Sequence, residues 1–334
     1  MRNPKIALIA CSNGYGHIKR LLCLSEAFKQ KGIIPTLFAQ EKKIRILSKI
    51  LKINPPIFYN FNTKSDIKYQ NAQGFKSKEW IYKIPTLKKF DHVISDNLLE
   101  ILEIREDAWI SGSFFWHKAL KDFPSSKKTY YEELIFKLKP KVVSSCFFAP
   151  DYIGQYSNLF KIGLFSFDKI QKKKKRENLL ISCGKGGQSI NQTKNFISSI
   201  MDIQSESNFN KIFIEPSLYH TKMPNWILPA EYNDDMFSSI KSAIIRPGIG
   251  TVTDCINYSV PMFCFYEKQN NEMRFNAENI EKKGIGINSK TIEIAWDQCN
   301  LSYKSSDRKY FQMDLFSRIN LKGAQDFVEI ILKN

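Results

Sequence analysis

The sequence predicts an α/β protein of two Rossmann-like domains, each built on a parallel sheet. Three observations predict it. The chain opens with an apolar run at 5–11, then the loop Ser12-Asn13-Gly14-Tyr15-Gly16-His17. Ile18, Leu21, Leu22 and Phe28 follow at helical spacing, and a second apolar run fills 33–38. Strand, helix and strand in that order imply a parallel sheet. The second half begins the same way, with a strand at 178–182, a glycine loop at 183–189 and a helix at 193–201. The third observation is the stretch 243–266, which reads as strand, glycine turn, helix, strand. A length of 334 residues suits two domains of ordinary size.

Taken in order, the first domain is expected over 1–168. A helix is read at 44–51 and a strand at 57–59 after Pro55-Pro56. The polar stretch 60–82 reads as a loop over an acceptor. Further strands are read at 91–97, 108–111, 142–148 and 162–167. Residues 169–177 are polar and carry the basic run Lys172 to Arg176, which marks a linker. The second domain is expected over 178–321, with short strands at 211–215 and 226–228. Residues 322–334 form an amphipathic helix through Ala324, Phe327, Val328 and Ile331, suited to packing back on the first domain.

Composition bounds the function. No apolar run reaches the roughly 20 residues of a membrane helix, and the run at 6–10 is too short for a signal-peptide core. A cytoplasmic protein is expected. The seven cysteines are scattered, with no C-x-x-C pair, so they read as reduced, buried thiols. The four histidines, at 17, 92, 117 and 220, show no metal spacing, and there is no D-x-D pair. No metal and no cofactor are expected. The net charge of +17 reads as a lysine-rich composition plus steering toward an anionic substrate or an anionic membrane surface. No nucleic-acid module is visible, so nucleic acid is not an expected partner.

The candidate residues sit at strand ends. Gly248 and Gly250 let a ligand approach the backbone, and Thr251 can cap the helix that follows. A helix start behind such a turn suits a phosphate; an ordinary βαβ turn without ligand has the same shape. Arg246 can neutralise phosphate or pair within the protein. Glu272 and Asn276, one strand later, can hold hydroxyls. The loop with Ser182, Gly184 and Gly187 lacks the G-K-[ST] ending of a P-loop, which argues against an ATPase. His17 follows Gly14 and Gly16 at the edge where ligands of open α/β sheets lie. A helix N-terminus disfavours imidazolium, so a neutral His17 is expected. It either moves a proton or caps the helix without chemistry. Lys19 stands where a dinucleotide fingerprint needs its third glycine, and Lys19 and Arg20 either touch phosphate or lie in solvent. Asp96 is either an acceptor-site carboxylate or a cap for 98–102. The aromatics at 114–116 line a cleft, touch lipid or pack in the core, and His117 is a second acid–base candidate.

Two motifs carry a resemblance. Arg246-Pro247-Gly248-Ile249-Gly250-Thr251-Val252-Thr253-Asp254, then Val260-Pro261, Glu272 and Asn276-Ala277, resembles the donor half of GT-B glycosyltransferases of the family-28-like and UDP-glucuronosyl types. That family usually has Glu in place of Asp254. The resemblance implies two Rossmann-like domains facing across a cleft. It implies that the turn Gly248 to Thr251 holds a diphosphate, with Ser182, Gly184 and Gly187 beside it. Asp254 would hold ribose, Glu272 and Asn276 the sugar, and the segment 228–231 the base. Gly14-Tyr15-Gly16-His17 with Arg20 resembles the first loop of the family-28-like enzymes, and also that of the nucleotide-sugar hydrolase of pseudaminic acid synthesis. It implies a catalytic or binding His17, with Gly16 counted among the donor-binding residues. The expectation is a metal-independent transfer from a UDP-sugar to a glycan or lipid-linked hydroxyl, in cell-surface glycan or glycolipid synthesis. A hydrolase or epimerase on the same fold is the alternative.

Overall fold

A computed structural model describes residues 2–63, 79–121, 123–167, 175–184, 189–201, 208–304, 311 and 313–334. Most of the predicted loop at 60–82, most of the 169–177 linker, and Gly187 lie outside the described residues. The chain divides into two compact units, residues 1–167 with 320–334, and residues 168–319.

The first unit holds β1 (Ile6–Ile9), β2 (Thr36–Ala39), β3 (Ile57–Asn60), β4 (His92–Asp96), β5 (Trp109–Ser111), β6 (Lys141–Ser145) and β7 (Asn158–Ile162). They form one sheet in the order β3-β2-β1-β4-β5-β6-β7, parallel throughout. All four residues of β1 are buried, as a central parallel strand covered on both faces requires. Its side chains alternate between two apolar layers. Ala7 and Ile9 pack with Trp80, Phe90, Ile101 and Phe115. Ile6 and Leu8 pack with Leu21, Phe28, Trp109 and Phe327. At the edge, β3 leaves Ile57 and Tyr59 exposed.

The helix Gly323–Lys333 lies in this unit, with Phe327 edge-on to Trp109 at 5.9 Å. The incoming chain is clasped: Leu164 N–H donates to Asn320 O at 2.8 Å, Gly323 N–H to Leu164 O at 3.0 Å, and Gly163 N–H to Asp326 Oδ2 at 3.0 Å. A Cβ on Gly323 would stand 2.1 Å from Gly163 O, so the backbones meet too closely for any side chain. This clasp displaces the strand predicted at 162–167. The strand is Asn158–Ile162, and Phe165 bridges Lys322 instead. The helix Ser125–Leu138 has no counterpart in the sequence prediction; it buries only Tyr131 and Ile135, too few apolar positions to show a period.

The second unit holds β8 (Asn178–Ser182), β9 (Ile212–Ile214), β10 (Ile227–Pro229), β11 (Ile240–Ile245), β12 (Met262–Phe265) and β13 (Gly286–Lys290). Their order is β10-β9-β8-β11-β12-β13, again parallel. Leu179, Ile181, Ile212, Ile214, Ile244 and Phe263 share its core. The first six strands of each unit therefore run third, second, first, fourth, fifth, sixth. In such a sheet the strand order reverses beside the first strand, and ligands bind at the carboxyl ends there. The switch points are β1/β4 and β8/β11.

Candidate active site

The first switch point collects side chains. The loop after β1 is pinned by reciprocal bonds, Ser12 N–H to Thr63 Oγ1 and Thr63 N–H to Ser12 Oγ, both 2.9 Å, and by Lys43 Nζ donating to Ser12 O at 2.7 Å. Gly14 takes φ +68°, a left-handed turn that suits glycine. The loop thus delivers His17 as the second residue of the helix Gly16–Gln30. Asp96 ends β4, which pairs with β1 in register Ile9–Ser95. One turn into the helix, Arg20 Nη2 donates to Asp96 Oδ1 at 2.7 Å and Oδ2 at 3.0 Å. Asp96 Oδ2 lies 3.4 Å from His17 Nδ1, and Arg20 Nη2 lies 3.0 Å from the same nitrogen. The Asp96 side chain is fully buried. The two readings of Asp96 are thereby separated, because the turn at 99–103 starts at Leu98 with no side-chain cap.

Electrostatics departs from expectation here. Burial disfavours the imidazolium, but Cys11 and the Asp96 carboxylate favour it more, and the His17 pKa is raised to about 9. The neutral His17 expected from the helix start is corrected: a buried carboxylate at contact distance outweighs a helix dipole. Burial also pushes the Asp96 carboxyl up, while Arg20 and His17 prevail and hold it below the ordinary range. Arg20, read as a phosphate contact or a solvated residue, is engaged with Asp96.

The aromatics divide. Phe114 and Phe115 are buried. Trp116 lies with its ring 6.3 Å from His17 and donates from Nε1 to Asn97 O at 2.8 Å. His117 stacks between Phe115 and Tyr131, both at 5.9 Å, and burial first, then Lys118, pushes its pKa down to about 4. That is core packing of a neutral ring.

The second switch point is built from backbone. Ser182 ends β8 and pairs in register with Ile245, and Arg246 N–H donates to Ser182 O at 2.8 Å. The helix is Ile249–Asn257, with Gly248 as its N-cap and no side-chain cap bond. Thr251, expected as the cap, is the third helical residue, and Gly250 the second. The first N–H groups of this helix therefore have no side-chain cap. A Cβ on Gly248 would meet nothing within 4 Å. Arg246 Nε donates to both oxygens of Glu267, at 3.1 and 3.0 Å, and no partner is found for its two Nη groups among the described residues. Burial raises the Glu267 carboxyl, and Arg246 more than reverses this.

The remaining candidates fall in several places. Asn276 is wholly buried and donates from Nδ2 to Pro247 O at 2.9 Å, so it holds the turn from behind. Asp254 is the sixth residue of the turn's helix and is buried. Glu272 lies in the first turn of the helix Asn271–Lys282 and is half-buried. The Ser182 hydroxyl meets the Tyr232 hydroxyl at 2.8 Å, and Tyr232 donates to Glu215 Oε2 at 2.6 Å. Gly184 takes φ +69° beside open space. Glu267, Tyr232 and Glu215 were not singled out from sequence. Glu267 follows β12 closely, so the strand-end rule that found Asp96 also points to it.

No protein-family model matches the sequence, and no curated protein matches it. Solved structures do match. UGT89C1 of Arabidopsis thaliana aligns over 99% of this chain and 100% of its own, at 11% identity and TM-score 0.67. LpCGTa in complex with UDP aligns over 99% of both chains, at 11% identity and TM-score 0.67. The glycotransferase of kitacinnamycin covers 100% of this chain and 99% of its own, at 11% identity and TM-score 0.65.

The chain has the GT-B fold. Within this GT-B chain, no three His, Cys, Asp or Glu side chains gather as a metal site among the described residues. No described helix is long and apolar enough to cross a membrane. Both GT-B switch points carry the residues read from sequence as strand-end candidates, His17 and Asp96 at one, Arg246 and Gly248 at the other.

Proposed function

We propose that this chain is a glycosyltransferase that moves a sugar from a nucleoside-diphosphate sugar, a UDP-sugar first, to a hydroxyl acceptor without a metal or other cofactor. The observation that carries the reading is the helix start at Gly248. Its N–H groups have no side-chain cap, and it stands behind an arginine whose outer nitrogens have no described partner. Such a place suits a diphosphate. The fold supports it, since LpCGTa and UGT89C1 were solved with UDP. Asp254 and Glu272 lie downstream of the turn, for ribose and sugar, and 228–231 for the base. His17 meets the reacting oxygens. The net charge of +17 suits an acceptor on an anionic glycan or lipid surface, and cell-surface glycan synthesis is the setting proposed.

The test is a thermal-shift screen against UDP-, GDP-, CDP- and CMP-sugars, followed by turnover. A ligand at about 100 times its Kd adds about 2.7 kcal/mol to the native state, so a matched donor gives a clear rise. His17→Ala should keep that rise and lose turnover. A panel in which no nucleotide sugar raises the melting temperature sinks the reading. The first loop resembles a nucleotide-sugar hydrolase equally well, so water as acceptor is the second reading. Rapid turnover of donor without any acceptor selects it.

A further inference from the structure

His17 Nδ1 has two polar neighbours with opposite demands. Asp96 Oδ2, at 3.4 Å, only accepts. Arg20 Nη2, at 3.0 Å, only donates, because a guanidinium has five N–H groups and no acceptor. Nη2 carries two hydrogens. One serves Asp96, whose oxygens lie at 2.7 and 3.0 Å. The other is left for Nδ1, which must be bare to receive it. Asp96 already has the guanidinium to balance its charge, and the nearer of the two neighbours is the donor. A neutral imidazole with a bare Nδ1 carries its proton on Nε2. The Cys11 thiol is also hydrogen-bonded to the ring, but a thiol both gives and accepts, so it does not choose.

We propose that Arg20 is a positioning residue that keeps the proton of neutral His17 on Nε2, so that His17 meets its substrate as a hydrogen donor and not as a base. The inference rests on the reading of His17 as the substrate-facing group of a sugar-transfer site. The charged ring carries the Nε2 proton too, so neither state offers a lone pair there to an acceptor hydroxyl. The oxygen it serves is one that gains negative charge, that of the departing diphosphate. The bond from the sugar carbon to that oxygen breaks, and its electron pair stays on the oxygen beside the Nε2–H. The acceptor oxygen bonds to the carbon and releases its proton to water.

The test is nitrogen NMR of the full chain with ¹⁵N-labelled histidine. There are four histidines, and the His17 signals are those missing from His17→Gln. The spectra are followed across the pH at which the ring loses its charge. The expected result is loss of the Nδ1 proton with Nε2 still protonated. In Arg20→Leu the neutral ring should move its proton to Nδ1, facing Asp96, and Arg20→Lys, which restores a donor-only cation, should move it back. A wild-type neutral ring protonated on Nδ1 overturns the proposal, and that measurement stands even if Arg20→Leu does not fold. The donor screen is separate: if no nucleotide sugar binds, the functional reading fails while the tautomer result is unaffected.

Discussion

The two switch points use opposite materials. At β1/β4, three side chains from positions 17, 20 and 96 converge, and the carboxylate among them is fully buried. At β8/β11, the ligand-facing surface is a glycine-capped helix start, with one arginine held by one glutamate. A buried ion cluster is stable only when complete, because removing one partner strands the other charge. A backbone site has no such dependence. Chemistry and stability are therefore joined at the first site and separable at the second.

Four measurements break or sharpen that contrast. The largest effect is expected for Asp96→Asn. It should cost about 3–5 kcal/mol in urea unfolding by stranding Arg20, and turnover should fall about 10²–10⁴-fold; a variant as stable as wild type would end the contrast. The second is pH. The His17 pKa is raised from 6.5 to about 9, so its contribution, about 3 kcal/mol, is fully present below 6.5 and lost as pH rises through about 9. Asp96 is lowered from 3.8, so its share is present above that value and disappears on acidification. Denaturant midpoints across pH should show the alkaline loss in wild type and not in His17→Gln.

The third is Asn276→Ala, which leaves the Pro247 carbonyl without its donor. About 1–3 kcal/mol of stability should go, together with nucleotide-induced thermal shift, because the turn loses its rear support. The smallest effect on the fold is expected for Gly248→Ala. Nothing stands within 4 Å of the added Cβ, so stability should hold within about 0.5 kcal/mol. The new methyl would still occupy the space a diphosphate needs, and the nucleotide shift should vanish. Retention of that shift would place the diphosphate elsewhere.

Much of the frame could be read from the chain because parallel strands are local apolar runs with glycine punctuation. Residues 5–11, 178–182 and 243–245 show this, and so does the helix through Ala324, Phe327, Val328 and Ile331. Side-chain direction was harder. Asn276 has the residue type of a sugar contact, yet it points into the protein at the Pro247 carbonyl. Arg20 and Asp96 are 76 positions apart, and no local pattern announces such a pair. The charge of His17 was misread for the same reason: the helix start is visible in sequence, and the carboxylate that overrides it is not. The strand predicted at 162–167 slipped because its latter half is shaped by residues 320–323.

That return of the chain sets an order of events on the ribosome. Residues 168–319 are all out before 320–334 appear, so the later unit has its full sequence while the earlier one still lacks a wall. Until Phe327 arrives, Trp109 and the helix Gly16–Gln30 present bare apolar surface. The part of the protein that is made first is the part that finishes last, and a nascent chain stalled before position 323 would hold one closed half and one sticky one.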